Sequence, residues 1–204
     1  MPVKEGREYR SFTGLFHAVE DSQDESAYTV EGYATTFDEP YDFVRGVKEQ
    51  ILSSALDGAD MSDVIFQLNH EGQTLARQRN GSLSLERDSH GLKCRAYLGG
   101  SQAGRDLYEA ISNGLIDKMS WGFMVADDGW DWDEATRTSS ITRITKVYDV
   151  SAVSIPANEF TEIHARSYLD GVIEAERQEL SQRSKEQEER ERLAVYLSAI
   201  ELGD

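Results

Sequence analysis

Apolar and polar positions alternate along much of the middle of the chain, and this period of two predicts β-strands. The first such stretch, 28–37, is rich in β-branched and aromatic residues. The Asp-Glu-Pro sequence that follows ends it, because proline cannot donate to a strand ladder. A polar, acidic stretch carrying two tryptophans, 127–138, is read as a loop or hairpin tip. Further strands are predicted at 64–68, 82–86, 91–98, 118–125 and 139–155.

Two segments of the body have a helical pattern instead. Residues 103–113 carry apolar side chains at Leu107, Ala110 and Ile111, and the Asn-Gly pair that follows is a good helix end. Residues 50–56 predict a second, short helix. These assignments mix strands and helices, with the strands in the majority.

The chain divides into three stretches by composition. Residues 1–27 are polar and charged around one apolar patch that predicts a first strand, and 28–166 form the folded body. Residues 167–204 are dominated by Glu, Gln, Arg and Lys and predict one or two charged helices. A continuous coiled coil is not supported, because 181–192 contains no apolar residue. We interpret this tail as a solvated helix, with a docking peptide for an assembly partner as the alternative.

Charge and composition narrow the classes of partner. The net charge is -17, and an acidic surface of this kind repels phosphate backbones and anionic membranes. No run approaches the length of a transmembrane helix, and no apolar stretch at the start predicts a signal peptide. The single cysteine, Cys94, cannot form an intramolecular disulfide, and we interpret it as a buried strand thiol rather than a nucleophile. We therefore expect a protein with neither nucleic acid nor a membrane as its partner.

Histidine is the most informative residue type for catalysis here, since only four are present. His70 follows a short apolar run, where a scaffold can hold it, whereas His17, His90 and His164 lie in polar stretches, a turn or after the last strand. A zinc-protease motif would need a second histidine four residues after the first, and that position is Thr74. We expect no metal and no other cofactor.

Two further residues could complete a nucleophilic site around His70. Ser120 begins a predicted strand and is followed by Gly122, which either allows a close approach or marks a bulge. Asp149 lies within an apolar strand, where a buried carboxylate needs a partner. It could orient an imidazole, or it could face solvent or pair with Arg143 or Lys146.

Taken in order, several segments resemble the prohead, or capsid maturation, proteases of tailed bacteriophages. The segments are 30–37, 68–71, 91–96, 104–123 and 149–158, and the resemblance covers roughly residues 28–166. Its most specific parts are Met-Ser-Trp-Gly-Phe at 119–123 and Val-Ser-Ala-Val-Ser-Ile-Pro-Ala-Asn at 150–158. The family commonly has Glu where this chain has Asp149.

The resemblance implies a fold and a set of catalytic residues. The expected fold class is α+β, mainly β: a herpesvirus-protease-like β-barrel flanked by helices, with a charged helical C-terminal tail. By motif match, Ser120 is the nucleophile, His70 the general base and Asp149 the orienting acid, with Glu71 and Asp117 as alternative acids. Backbone N–H groups are the expected oxyanion donors, and an ordered water or an arginine, Arg143 as the candidate, could add to them.

The resemblance also implies a biological role. The protein would be a serine endopeptidase in the host cytoplasm, inside the immature capsid, that cleaves scaffold, the scaffolding arm of the major capsid protein, and itself. The herpesvirus enzymes suggest a homodimer as a candidate oligomeric state. Two other readings stay open: a catalytically inactive capsid-assembly or scaffolding factor with the same fold, and a β-barrel binding module in which His70 and Ser120 are core residues.

Overall fold

The structure is a computed structural model that describes residues 6–13, 16–19, 28–44, 46–154, 174–175, 177–179, 181–187 and 190. Its contacts divide the chain into two compact units, Met1–Glu162 and Ile163–Asp204. The described residues of the second unit are helical and exposed, and an ion pair between Arg183 and Glu179 lies one helical turn apart on their surface. The first unit holds the sheets and the candidate site.

The first unit is built mainly of β-strands. In chain order they are β1 (Glu8–Thr13), β2 (Phe16–Ala18), β3 (Thr29–Thr36), β4 (Tyr41–Val44), β5 (Val47–Ile51), β6 (Ile65–Leu68), β7 (Glu71–Arg77), β8 (Leu83–Arg87), β9 (Gly91–Tyr97), β10 (Lys118–Val125), β11 (Trp130–Asp133), β12 (Thr138–Ile141) and β13 (Ile144–Val153). One α-helix, α1 (Gln102–Ser112), and two 3₁₀ turns, Ser53–Leu56 and Gln78–Asn80, complete the described elements of this unit.

The strands form three sheets. The central sheet has the order β1-β10-β13-β6-β7, the second β11-β12-β5-β4 and the third β2-β3-β9-β8. The fold is therefore mostly β with few helices, as expected. None of the three sheets closes on itself among the described strands, so the herpesvirus-like barrel is not confirmed by this topology.

A single apolar core lies between the sheets and explains why these strands are so apolar. Its largest fully buried side chains include Phe66, Trp121 and Phe123. Strand β13 is buried from Asp149 to Val153, and it is paired at both edges, with antiparallel β10 and with parallel β6. The central strands that carry the candidate site are thus fixed by packing on both edges.

A buried ion pair joins the first strand of the central sheet to the second sheet. Arg10 Nη2 on β1 donates to Glu49 Oε2 on β5 at 2.8 Å, and Arg10 Nη1 donates to Glu8 Oε2 at 3.0 Å. Tyr41 also donates a hydrogen bond to Glu49. The charged groups are buried and mutually satisfied, so the network connects β1 to β5 of the second sheet.

Most strands predicted from the alternation are confirmed. The stretch 64–68 contains β6, 118–125 is β10, and the strands predicted at 82–86 and 91–98 are the antiparallel pair β8 and β9. The helix predicted at 103–113 is α1, whose first turn is capped by the Ser101 hydroxyl accepting from Gly104 N–H at 3.1 Å.

Four local predictions were wrong in part. The helix predicted at 50–56 is only a 3₁₀ turn after β5, because Gln50 and Ile51 pair in parallel with β12. The predicted strand 139–155 is two strands, since β12 leaves to join the second sheet before β13 begins. The stretch 127–138 includes a strand, β11, and the polar edge strand β7 was not foreseen at all. In the N-terminal apolar patch, Phe12 lies on β1 and Phe16 on β2, so these two residues do not share one strand.

No helix among the residues that the structure describes combines the length and the apolar character needed to cross a membrane.

Candidate active site

Three neighbouring strands of the central sheet deliver the three predicted catalytic residues to one place. Ser120 lies on β10. Asp149 lies on the adjacent β13, opposite Gly122, which is two residues from Ser120 along β10. His70 follows the end of β6, which pairs in parallel with β13 on its other side. The sheet order β10-β13-β6 therefore places the carboxylate between the serine and the histidine strands.

His70 is held by a tight two-residue turn. Leu68 and Glu71 are paired across β6 and β7, which leaves Asn69 and His70 as the turn, with φ of 53° and 59°. Two successive left-handed residues define the turn type that fits the twist of a hairpin, and Asn and His adopt positive φ more readily than most residues. The turn directs the imidazole back toward β13 and β10.

Asn69 ties this turn to the end of β13. Its backbone N–H donates to Ala152 O at 2.9 Å, and its side-chain Oδ1 accepts from the Ser154 N–H at 3.0 Å. These bonds fix the left-handed backbone that His70 needs, so Asn69 supports the site although sequence reasoning gave it no role.

The three side chains form a continuous hydrogen-bonded series. His70 Nε2 lies 2.7 Å from Ser120 Oγ, and His70 Nδ1 is hydrogen-bonded to Asp149 Oδ1. Since an ionised carboxylate only accepts, Nδ1 carries the proton in this arrangement and Nε2 is free to accept the Ser120 hydroxyl proton. This is the geometry in which an imidazole can act as a general base toward a serine.

The series is shielded from water. Ser120 is 0%, Asp149 2% and His70 9% exposed. The Tyr9 ring from β1 packs edge-on against the imidazole, with ring centroids 4.5 Å apart. Burial and the charge of Asp149 both raise the pKa of Tyr9. A low-dielectric setting of this kind strengthens the hydrogen bonds within the series.

The carboxylate of Asp149 has its own supporting contacts. Ser151 Oγ, two residues further along β13, lies 3.0 Å from Asp149 Oδ1. A Cβ on Gly122 would lie 2.5 Å from Asp149 Oδ2, so a side chain at that position would displace the carboxylate. Of the two roles suggested for Gly122, the close approach is that of the Asp149 side chain. The strand is also irregular at this point, because the register shifts between Gly122 and Phe123.

The alternatives left open for the acid have different surroundings. Glu71 and Asp117 are exposed, whereas Asp149 is buried against the imidazole. Asp149 does not face solvent, and its two suggested cationic partners are engaged elsewhere, Lys146 with Asp60 and Arg143 with Asp128.

The other candidate residues of the sequence analysis lie outside the hydrogen-bonded series of Ser120, His70 and Asp149. Arg143, the candidate oxyanion donor, is exposed, and Cys94 is buried in β9. Burial raises the pKa of the Cys94 thiol, which suits a structural residue. His17 lies on β2, His90 packs against the Tyr33 ring in the β8–β9 turn, and His164 lies outside the described residues.

Sequence reasoning did not assign roles to Ser151 or Tyr9. The signal for Ser151 was available, because residues i and i+2 of a strand share a face, so a hydroxyl two positions from Asp149 lies beside it. Tyr9 has no comparable signal, since only the pairing of β1 with β10 brings its ring to His70. The part of the chain described here contains no cluster of three or more His, Cys, Asp or Glu side chains suited to a metal ion.

A buried serine bonded to a His–Asp pair is the arrangement of the serine hydrolases. The family model of the caudovirus prohead serine proteases matches residues 16–172, which is most of the chain. The chain belongs to this family, whose members are serine peptidases of phage capsid maturation. No curated protein and no solved structure matches it significantly.

Proposed function

We propose that this protein is a serine endopeptidase of phage capsid maturation in which Ser120 is the nucleophile, His70 the general base and Asp149 the orienting acid. The observation that carries the proposal is the unbroken hydrogen-bonded series from Ser120 Oγ through His70 to Asp149. Membership in the prohead protease family supports the same chemistry.

Acylation would begin at Ser120. Its Oγ attacks the carbonyl carbon of the scissile peptide bond while His70 Nε2 takes the hydroxyl proton, which gives a tetrahedral oxyanion and an imidazolium. Asp149 stabilises the imidazolium through its bond to Nδ1–H. The imidazolium then gives its proton to the peptide nitrogen, the C–N bond breaks, and an amine leaves an acyl-enzyme ester on Ser120.

In deacylation, a water molecule would take the place of the Ser120 hydroxyl as the nucleophile. His70 Nε2 takes a proton from a water molecule as the water oxygen attacks the ester carbon. The C–O bond to Ser120 breaks, the proton returns to Oγ, and a carboxylic acid product leaves. Backbone N–H groups beside the nucleophile are the proposed oxyanion donors.

The proposed substrates are scaffold, the scaffolding arm of the major capsid protein and the protease itself. The proposed place of action is the inside of the immature capsid in the host, with a homodimer as the candidate oligomeric state. The net charge of -17 suits this place, because the protein has no electrostatic affinity for incoming DNA. The proposal also includes a relationship between the fold of this protein and that of the herpesvirus assembly proteases.

One observation favours a second function, that of a catalytically inactive capsid-assembly or scaffolding factor. Ser120 is 0% exposed, so a peptide can reach its Oγ only after the surrounding chain rearranges. An inactive factor would retain the fold without needing this rearrangement.

Intact-mass spectrometry of co-expressed proteins separates the two functions. Wild type, Ser120→Ala and Ser139→Ala would each be expressed with the cognate capsid protein. Ser139 is a matched control, because it is also a fully buried strand serine and its Oγ has no hydrogen-bond partner within the described structure. Truncated capsid protein in wild type and Ser139→Ala, but not in Ser120→Ala, supports the peptidase.

Uncut capsid protein in all three samples, with shells formed, would support the inactive factor instead. Labelling of purified protein with a fluorophosphonate gives an independent test, since only an activated serine reacts. Labelling that persists in Ser120→Ala would remove Ser120 as the nucleophile.

A further inference from the structure

Ser151 is a buried hydroxyl that contacts the candidate catalytic acid. Its Oγ lies 3.0 Å from Asp149 Oδ1, the same oxygen that receives the hydrogen bond from His70 Nδ1. Ser151 is fully buried and lies directly opposite Ser120 in the β10–β13 register. The hydroxyl is therefore part of the site's interior and is not a surface contact.

The direction of this hydrogen bond follows from its chemistry. An ionised carboxylate has no proton to give, so the Ser151 hydroxyl donates and Asp149 accepts. A buried carboxylate needs such donors, because each lost contact with water must be replaced. Two donors on one oxygen, an imidazole N–H and a hydroxyl, fix the carboxylate in both direction and rotation.

The second oxygen of the Asp149 carboxylate faces Gly122 of β10. Asp149 Oδ2 lies over Gly122, where a Cβ would be only 2.5 Å away. The carboxylate thus lies between the Ser151 hydroxyl and the backbone of β10. Rotation of the carboxylate that carries Oδ1 away from His70 would also break the hydrogen bond from Ser151.

We propose that Ser151 is a positioning residue, whose hydroxyl holds Asp149 in the orientation that keeps His70 ready to accept a proton from Ser120. In this role Ser151 acts through Asp149, to which its hydroxyl is hydrogen-bonded. The expected effect of Ser151 on the rate of cleavage rests on the proposed function. The orientation of Asp149 by Ser151 can be tested without any activity.

The kinetic test compares wild type, Ser151→Ala and the buried-serine control Ser139→Ala. We expect Ser151→Ala to lower kcat for cleavage of the capsid protein by about tenfold to hundredfold, the range that follows a small misplacement of catalytic groups. KM should be unchanged, because the Ser151 hydroxyl is hydrogen-bonded to Asp149 and is proposed to act on proton transfer rather than on substrate binding. Ser139→Ala should keep the wild-type kcat. A wild-type kcat in folded Ser151→Ala overturns the proposal.

A spectroscopic test works without any peptidase activity. In a Ser120→Ala background, proton NMR should show the His70 Nδ1 proton far downfield, since an imidazole proton held by a carboxylate is strongly deshielded. Asp149→Asn should abolish the resonance, and Ser151→Ala should move it upfield or broaden it. Ser139→Ala should leave it unchanged. An unaltered resonance in the Ser151→Ala protein contradicts the positioning role.

The two tests also separate the failure of this inference from that of the proposed function. If wild type cleaves nothing but the resonance responds to Ser151→Ala, the peptidase proposal fails and the positioning role stands. If Ser151→Ala does not fold, Ser151→Cys replaces it, because a thiol fills similar space and donates only weakly. That variant should show a several-fold lower kcat and a shifted resonance, and wild-type values for both would overturn the inference.

Discussion

Replacement of Gly122 with alanine puts a methyl group where the Asp149 carboxylate now lies. The added Cβ would be 2.5 Å from Asp149 Oδ2 and 2.9 Å from Tyr9 Cε1, whereas ordinary contact begins at 3.4 Å. The backbone of Gly122 is not in the left-handed region, so alanine is conformationally acceptable there and the steric clash is the whole perturbation. The carboxylate and the Tyr9 ring must therefore move.

The size of the effect follows from these distances. To regain ordinary contact, Asp149 Oδ2 must shift by about 1 Å, and a displacement of this size in a catalytic group costs about 100-fold in rate. We expect the loss to fall mainly on kcat. Overpacking of the buried site should also lower the free energy of unfolding by about 1–3 kcal/mol.

The assay is the initial rate of capsid-protein cleavage, followed by intact mass, together with urea unfolding of each variant. Gly100→Ala is the matched control, because its Cβ would meet nothing within 4 Å and its φ is not positive. It should keep wild-type rate and stability. A folded Gly122→Ala protein that cleaves at the wild-type rate would refute the reasoning that Asp149 must stay in place.

Three further predictions address the scaffold of the site. Arg10→Ala should destabilise the protein by about 3–5 kcal/mol in urea unfolding, because it leaves the buried Glu49 and Glu8 carboxylates without their guanidinium partner. Retention of wild-type stability in Arg10→Ala would contradict the importance of the pair. Cys94 should resist iodoacetamide in the native protein and react after denaturation, since burial raises the pKa of its thiol; rapid native labelling would show that β9 is open. Hydrogen bonding to Lys146 holds the pKa of Asp60 well below its ordinary value of 3.8, so their pairing should stabilise wild type relative to Lys146→Met above that pH. The difference in the free energy of unfolding between wild type and Lys146→Met should shrink as the pH falls below 3.8 and Asp60 takes up a proton. A difference that stays constant on acidification would count against the pairing.

Some features of this protein were determined by the sequence alone. A short apolar run identified β6, and the alternation of apolar and polar positions identified β8, β9 and β10. The apolar spacing and the Asn-Gly ending identified α1. The blocks around residues 119–123 and 149–158 pointed to the prohead protease family, which the family match over 16–172 confirms.

The register between strands was decided only by the tertiary structure. Ser120 and His70 are 50 positions apart, and His70 and Asp149 are 79 apart, so no local pattern specifies that their side chains meet. Their contact depends on β13 lying between β10 and β6. The role of Gly122 is likewise visible only once Asp149 is seen across from it.

The wrong local predictions have the same origin. Residues 50 and 51 are compatible with a helix or a strand, and the parallel pairing of β5 with β12 selects the strand. The polar strand β7 lies at the edge of the central sheet, where its outward residues face solvent and leave no apolar signature. Local sequence determines which faces must be buried, whereas long-range backbone pairing determines which residues share a face, and the candidate site depends on that second choice.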